Sequence, residues 1–294
     1  MNWPLDCVRA REPLSKHTTL RIGGPAEWFA EPHTVEELCA LLRGAQWMGL
    51  SVSMLGGGTN LLVPDRGVQG LTVRLGRGFR AVEVLTPPDA GETLVRCGAG
   101  VSTQRLVALA CERGWAGLEA MAGLPGQVGG AIAGNAQNIG RFVEEVTVVG
   151  PDGSVAQTPK SRLAFGYRDA SLPAGIIVEA ILKFSKTSRE LSTEKVQQQL
   201  CYRNATQDLH LPSAGCAFKN PPGLSAGKLI DQAGLKGARI GDAQVSLRHA
   251  NFIVNHGLAS SDDVLSLMEH IQRRVSNIFG VVLTPEIRMF GEKL

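Results

Sequence analysis

Residues 51–63 read SVSMLGGGTNLLV, an apolar run that ends abruptly in three glycines and then resumes. A strand feeding Gly56, Gly57 and Gly58 presents successive backbone N–H groups with no side chains in the way. Such groups can converge on phosphate oxygens at close range. The loop is not a P-loop, because Thr59, Asn60 and Leu61 follow where Lys-Ser or Lys-Thr would stand. Gly98-Ala99-Gly100 is not a dinucleotide fingerprint either, since the position three beyond Gly100 is Thr103. Taken alone, the triplet reads sooner as a tight turn joining two strands than as a phosphate loop.

A second cluster extends the reading. AGLPGQVGGAIAGNA (122–136) contains Gly123, Gly126, Gly129, Gly130 and Gly134. Glycine at that density implies a backbone that turns repeatedly and approaches something flat or charged. A self-packed surface loop has the same composition. Two glycine loops in one half, neither matching a nucleotide-binding loop, point to a large extended cofactor.

Composition narrows the class. Glycine supplies 35 of 294 residues, about 12% against the usual ~7%. Thirty Lys and Arg against 27 Asp and Glu give +3, too balanced for a nucleic-acid or membrane-surface footprint. At 44% hydrophobic and 19% charged the chain reads as globular. The longest apolar runs are too short for a transmembrane helix. The opening MNWPLDCVRARE has no basic stretch followed by an apolar core, so no secretory signal is expected. Cysteines at 7, 39, 97, 111, 201 and 216 form no C-x-x-C pair, which argues against zinc or iron–sulfur sites and for reduced thiols in a cytosol.

Periodicity predicts a helix from Thr34, capped with Glu37 and closed by Gly49, and a strand over 51–55. A further strand begins over 61–63. Strands 81–85 and 92–98 form a pair joined by the Pro87–Gly91 turn. Ser102 caps a helix ended by Gly114. Strands follow at 145–149 and 176–184, with FGYRD (165–169) between them. Residues 185–194 read as a polar connector. A short helix at 225–234, a strand at 250–255 and a final strand over about 281–290 complete the pattern. The clearest helix is 261–279, with Val264, Leu267, Met268, Ile271, Val275 and Ile278 in one stripe. The mixed order favours an α+β fold over a regularly alternating parallel sheet.

The run GGGTNLLV (56–63), CGAGVS (97–102) and AGLPGQVGGAIAGNA (122–136) is similar to the FAD-binding domain of the vanillyl-alcohol-oxidase (PCMH) type. TTLRIGGPAEWF (18–29), FGYRD, GCAFKNP (215–221), AGKLIDQAGLKGARIGDAQVSLRHANFIVN (226–255) and TPEIR (284–288) resemble one family within that fold, UDP-N-acetylenolpyruvoylglucosamine reductase. The likeness runs from about Thr18 to Arg288.

That resemblance implies an FAD-binding domain of two subdomains over 1–187 and a smaller α/β substrate-binding domain over 188–294. It implies a bacterial cytoplasmic monomer with noncovalent FAD. NADPH and UDP-N-acetylglucosamine enolpyruvate would be its small-molecule partners, and no metal, nucleic acid or membrane is involved. Gly56, Gly57, Gly58, Thr59 and Asn60 would hold the pyrophosphate. Gly123, Gly126, Gly129, Gly130 and Asn135 would wrap the flavin. Arg168 would steady the enolate, Cys216 would donate the proton and Glu286 would assist it. Tyr167, Lys219 and Asn220 would contact substrate.

The chain departs from the family pattern in two places. Where Gly-Ala-Tyr-Gly usually follows GNA, it has Gln137, Asn138, Ile139 and Gly140. Where the family usually has serine in GSxFKNP, it has Cys216. Its short 221–226 stretch resembles the subclass without an extra tyrosine-bearing loop. An alcohol oxidase of the same fold, with covalent flavin, would leave GCAFKNP and TPEIR unexplained. A binding module without catalysis would leave Arg168 and Glu286 unexplained.

Overall fold

A computed structural model describes residues 6–87 and 91–291. It separates into two compact units that are interleaved in sequence. The first takes the chain up to Arg9, then Phe29–Gly57 and Gly70–Arg203; the second takes Ala10–Trp28, Gly58–Gln69 and Asn204 onward. The units thus trace a different partition from a single cut at residue 187, because two early segments join the later chain. Mixed α and β content bears out the α+β reading.

The first unit is built on an antiparallel sheet of five strands, in the order Val82–Val84, Glu92–Gly98, Ile176–Ser185, Val143–Val149 and Val155–Pro159. Along the central strand Ile176, Val178, Ala180, Leu182 and Phe184 are buried and the residues between them are not. That alternation is the signature of a sheet packed on one face. Each large apolar side chain so buried contributes roughly 1.5–3 kcal/mol. Phe184 also stacks on Trp115 with ring centres 5.4 Å apart. The helix Thr103–Arg113 covers this face with Leu106, Val107 and Ala110, capped by Ser102 and ended by left-handed Gly114. Elsewhere in the unit Val52–Met54 runs parallel to the chain at Leu71 to Val73.

In the second unit an antiparallel sheet takes the order Ser213–Cys216, Phe252–Asn255, Ala243–Val245, Arg239–Ile240. The helix Ser261–Phe279 supplies most of the unit's helical core, with Val264, Leu267, Met268, Ile271 and Val275 buried among Ala243, Val245 and Ile253. Ser260 and Asp263 form a reciprocal capping box at its start. Ile278, expected in the stripe, is 45% exposed.

Three expectations change. The glycine-rich 117–140 stretch carries a helix, Val128–Ala133, and tight 3-10 turns over Ala136–Phe142. Much of the expected connector 185–194 is the start of the helix Arg189–Thr206. The final strand shrinks to Arg288–Met289, paired parallel with Leu61–Leu62. The turn expected at 87–91 falls largely on residues 88–90, outside those described. Among the described residues no helix is long and apolar enough to cross a membrane.

Candidate active site

In the first unit the glycine loops converge. The Ser102 and Gln127 backbones form a bridge. Gly129 N donates to Ala99 O at 2.9 Å and Val128 N to Val101 O at 2.9 Å, so CGAGVS and LPGQVGG run side by side. The Thr103 hydroxyl donates to Leu124 O at 2.6 Å, and Gly123 N donates to the Gln104 side-chain oxygen at 2.9 Å. These side chains, which the sequence reading did not single out, pin the loop from beneath. Gly56 ends the other loop nearby: a Cβ there would have the Gln127 amide oxygen 3.8 Å away.

The glycines divide by what surrounds them. A Cβ on Gly129 would stand 2.9 Å from the Ala99 Cβ, so this glycine lets two loops pack. Gly123 at φ 75° lies against the Arg203 side chain, and Gly126 at φ 132° makes a turn that favours glycine. A Cβ on Gly130 would meet nothing within 4 Å. Backbone open at Gly56 and Gly130 on converging loops fits the flat, extended cofactor that the sequence suggests. Gly57 ends the first unit's part of the triplet, and Gly58 begins the second unit's.

Arg168 and Tyr167 form the two-residue tip of a hairpin joining Ala164–Gly166 to Asp169–Ser171. Arg168 has φ 54°, a conformation that costs a non-glycine residue of order 1–3 kcal/mol and gathers at functional positions. Tyr167 is 59% exposed at the tip. Asn135, also left-handed at φ 42°, is buried with both ends of its side-chain amide engaged. Its Nδ2 donates to Gly166 O at 2.7 Å, and its Oδ1 accepts from Gly140 N at 3.0 Å.

In the second unit the segments GCAFKNP and TPEIR are neighbours. Glu286 N donates to Ala217 O at 2.8 Å and Lys219 N to Thr284 O at 2.9 Å, while Phe218 and Pro285 form a bridge. Cys216, half-buried, and Glu286 are therefore carried on adjoining backbone. Asn60 Nδ2 donates to Glu286 O at 3.1 Å, and Arg288 N donates to Asn60 O at 3.1 Å, so the Thr59-Asn60 loop clasps the glutamate's other side. Gly58 makes that loop possible, since a Cβ there would come within 2.0 Å of His17 O. The Asn220 side-chain oxygen accepts from Ala226 N at 3.0 Å, at the start of the helix Ala226–Gln232.

Sequence reasoning missed Asn251. It is 3% exposed, and its amide accepts from Phe218 N at 3.0 Å and donates to Phe218 O at 2.8 Å. Ala217 N donates to its carbonyl at 2.7 Å. Asn251 thus holds the residues between Cys216 and Lys219 from the side away from TPEIR. The available signal was one amide at the head of the apolar run FIV.

Thiol environments differ. Burial pushes the Cys97 thiol up to about 12 and raises Cys7 and Cys111 less far, which leaves Cys97 un-ionised at neutral pH. Cys201 is exposed. Among the described residues no group of His, Cys, Asp and Glu could hold a metal ion.

Residues 26–158 match the family model of an FAD binding domain. Residues 207–290 match the C-terminal domain of UDP-N-acetylenolpyruvoylglucosamine reductase. The chain is 42% identical to UDP-N-acetylenolpyruvoylglucosamine reductase 2 of Symbiobacterium thermophilum, over 97% of this chain and 92% of that one. It is likewise 42% identical to the Syntrophotalea carbinolica reductase, over 97% and 95%. The crystal structure of the Thermus caldophilus reductase superposes with a TM-score of 0.79 at 37% identity, covering 96% of this chain and 97% of that one. With the two matched regions in order and the likeness spanning nearly the whole chain, this protein belongs to the UDP-N-acetylenolpyruvoylglucosamine reductase family and is an FAD-dependent oxidoreductase.

Proposed function

We propose that the chain reduces the enolpyruvyl ether of UDP-N-acetylglucosamine enolpyruvate to UDP-N-acetylmuramate, a peptidoglycan precursor, with NADPH as electron source. FAD, held without a covalent bond and reduced by NADPH, would supply a hydride to the methylene carbon, C3. The pair of electrons displaced from the double bond then rests on C2 and its carboxylate. The Arg168 guanidinium holds those oxygens in a two-pronged fork as negative charge develops. Cys216 delivers a proton to C2 as general acid. Glu286 orients substrate or assists that transfer. Tyr167, Lys219 and Asn220 contact the substrate, although Asn220 also spends its amide oxygen on a helix start.

The supporting observation is that GCAFKNP and TPEIR, far apart in sequence, are hydrogen-bonded neighbours, so a thiol and a carboxylate sit on adjoining backbone segments. In ligand contacts we assign the flavin to residues 1–187 and the sugar nucleotide to 188–294 together with Tyr167 and Arg168. Gly56 to Asn60 hold the pyrophosphate and the glycines of 123–134 border the flavin, whereas the Asn135 side-chain amide is taken up by Gly166 O and Gly140 N. The short 221–226 stretch sets the chain among members without an added tyrosine-bearing loop, with cysteine in the usual serine position. It works as a monomer in a bacterial cytoplasm, where NADP leaves before the enolpyruvyl group enters.

Stopped-flow absorbance of the FAD-loaded protein tests this reading. NADPH should bleach the flavin, and the enolpyruvyl sugar nucleotide should restore its colour. Flavin that stays covalently attached after denaturation, or reduced flavin unmoved by that substrate, would contradict it.

A further inference from the structure

We propose that Asn135 is a positioning residue for Arg168, working through the base of the hairpin that carries it. The inference rests on the reading above for what Arg168 does, and on geometry within the first unit for how it is held. The hairpin has only three paired positions: Ala164 with Ser171, Phe165 with Ala170 and Gly166 with Asp169. A two-stranded ribbon that short has little stability of its own. Its tip is Tyr167-Arg168, with Arg168 in the left-handed region, so the local backbone does not favour the arrangement unaided.

Two contacts at the base supply what the ribbon lacks. The Asn135 amide donates to Gly166 O at 2.7 Å, on the residue immediately before the tip. The Phe165 ring lies over Gly140, where a Cβ would approach ring carbons to 2.3 Å. Both contacts come from one stretch, and Asn135 ties that stretch together by accepting from Gly140 N at 3.0 Å. Asn138 N also donates to Asn135 O at 3.1 Å. The stretch is itself strained, with Asn135 at φ 42°, Gln137 at φ 49° and Asn138 at φ 58°. Asparagine tolerates this region better than most residues. Asn135 therefore answers two requirements at once: a left-handed backbone, and a buried amide with one end on the loop and one on the hairpin.

A guanidinium on a flexible three-carbon stem needs a fixed base to hold a fork. Misplacement of a catalytic group by about 1 Å can cost on the order of 10²-fold in rate. Removing only the donor to Gly166 should therefore slow the substrate half of the cycle and spare the NADPH half.

Asn135→Asp is the discriminating variant. It keeps a residue that accepts left-handed backbone and keeps the acceptor for Gly140 N. It replaces the donor to Gly166 O with an oxygen that repels that carbonyl. A buried carboxyl facing a carbonyl is raised in pKa, and once protonated it becomes a donor again. At about pH 8 the variant should bind FAD and be bleached by NADPH as wild type is. Its substrate-driven reoxidation should be slower by roughly 10–10²-fold. The wild-type-to-variant ratio should fall toward one as pH is lowered to about 5, while FAD content and NADPH bleaching match wild type at both pH values, which separates the effect from a fold defect. Hydrogen exchange should quicken at 164–171 in the variant, with the flavin spectrum unchanged. Phe165→Ala loosens the hairpin without burying a charge, and it should show the same selective slowing if Asn135→Asp does not fold. Wild-type reoxidation rates in either soluble variant, or a ratio that does not change with pH, would overturn the proposal. Should wild type itself fail to be reoxidised, the functional reading falls, and the exchange rates at 164–171 still decide whether Asn135 braces the hairpin.

Discussion

The two units assemble their candidate site residues by opposite means. In the first, the proposed cofactor surface is backbone: a Cβ would meet nothing at Gly130 and only the Gln127 amide oxygen at Gly56, while Gly123 and Gly129 are closed against neighbours. Its one proposed catalytic side chain, Arg168, stands on a left-handed hairpin tip. In the second, Cys216 and Glu286 ride on paired extended backbone, held from outside by Asn251 and Asn60. A loop that must approach a cofactor closely gives up side chains and spends glycine. A site that must hold reacting side chains keeps them on bonded backbone and spends buried amides instead. Substitutions should therefore fail differently in the two regions.

The largest contrast lies within the glycines. Gly130→Val should fold normally, because a Cβ there meets open space and valine is no worse than glycine inside a helix. It should nevertheless be purified colourless. Gly129→Val must push into Ala99 and should lose stability, typically by about 1–3 kcal/mol. Thermal unfolding beside flavin absorbance separates the two. A yellow, stoichiometrically loaded Gly130→Val protein would remove this glycine from the cofactor surface.

Next in size is Asn251. Asn251→Ala leaves the buried N–H and C=O of Phe218 without their partners, at a cost of roughly 2–4 kcal/mol. Denaturant unfolding should show the loss, and flavin bleaching by NADPH should be spared. A variant as stable as wild type would mean that the TPEIR pairing alone holds GCAFKNP.

The smallest effect concerns His249, 4.5 Å from the Phe252 ring and made harder to protonate chiefly by burial. Its neutral form is favoured by folding, so the stability it confers is full above the unfolded value of about 6.5. That stability is lost as pH falls through the lower folded value. His249→Leu should therefore show a shallower fall in stability than wild type as pH drops below about 6.5. Parallel pH curves would remove this histidine from the account.

What was legible in the sequence follows the same divide between local and distant causes. The helix 261–279 was readable because its apolar stripe lies within its own turns, and the structure adds a Ser260–Asp263 capping box at its start. The first third of the helix Arg189–Thr206 was read as connector, because the helix buries only Ser192 and Arg203 and so shows no apolar stripe. The expected strand 281–290 was too long: residues 284–286 meet 217–219 through single bonds and a bridge, and ladder pairing is confined to Arg288–Met289. Motif resemblance singled out Cys216, Glu286 and Arg168. It gave no hint of Asn251 or of the brace under Arg168, because those amides act on backbone groups distant in sequence.

The central claim is that Cys216 gives the proton that completes reduction of the enolpyruvyl group. The most direct measurement is rapid-mixing flavin absorbance on Cys216→Ala and Cys216→Ser, with NADPH and substrate added in separate shots. Both variants should be bleached by NADPH at the wild-type rate. Cys216→Ser should be reoxidised by substrate at a measurable rate. Cys216→Ala should form protonated product slower by about 10²–10⁴-fold, the usual range for a missing general acid. Product formation by Cys216→Ala at the wild-type rate would contradict the assignment and move the proton to Glu286 or to water.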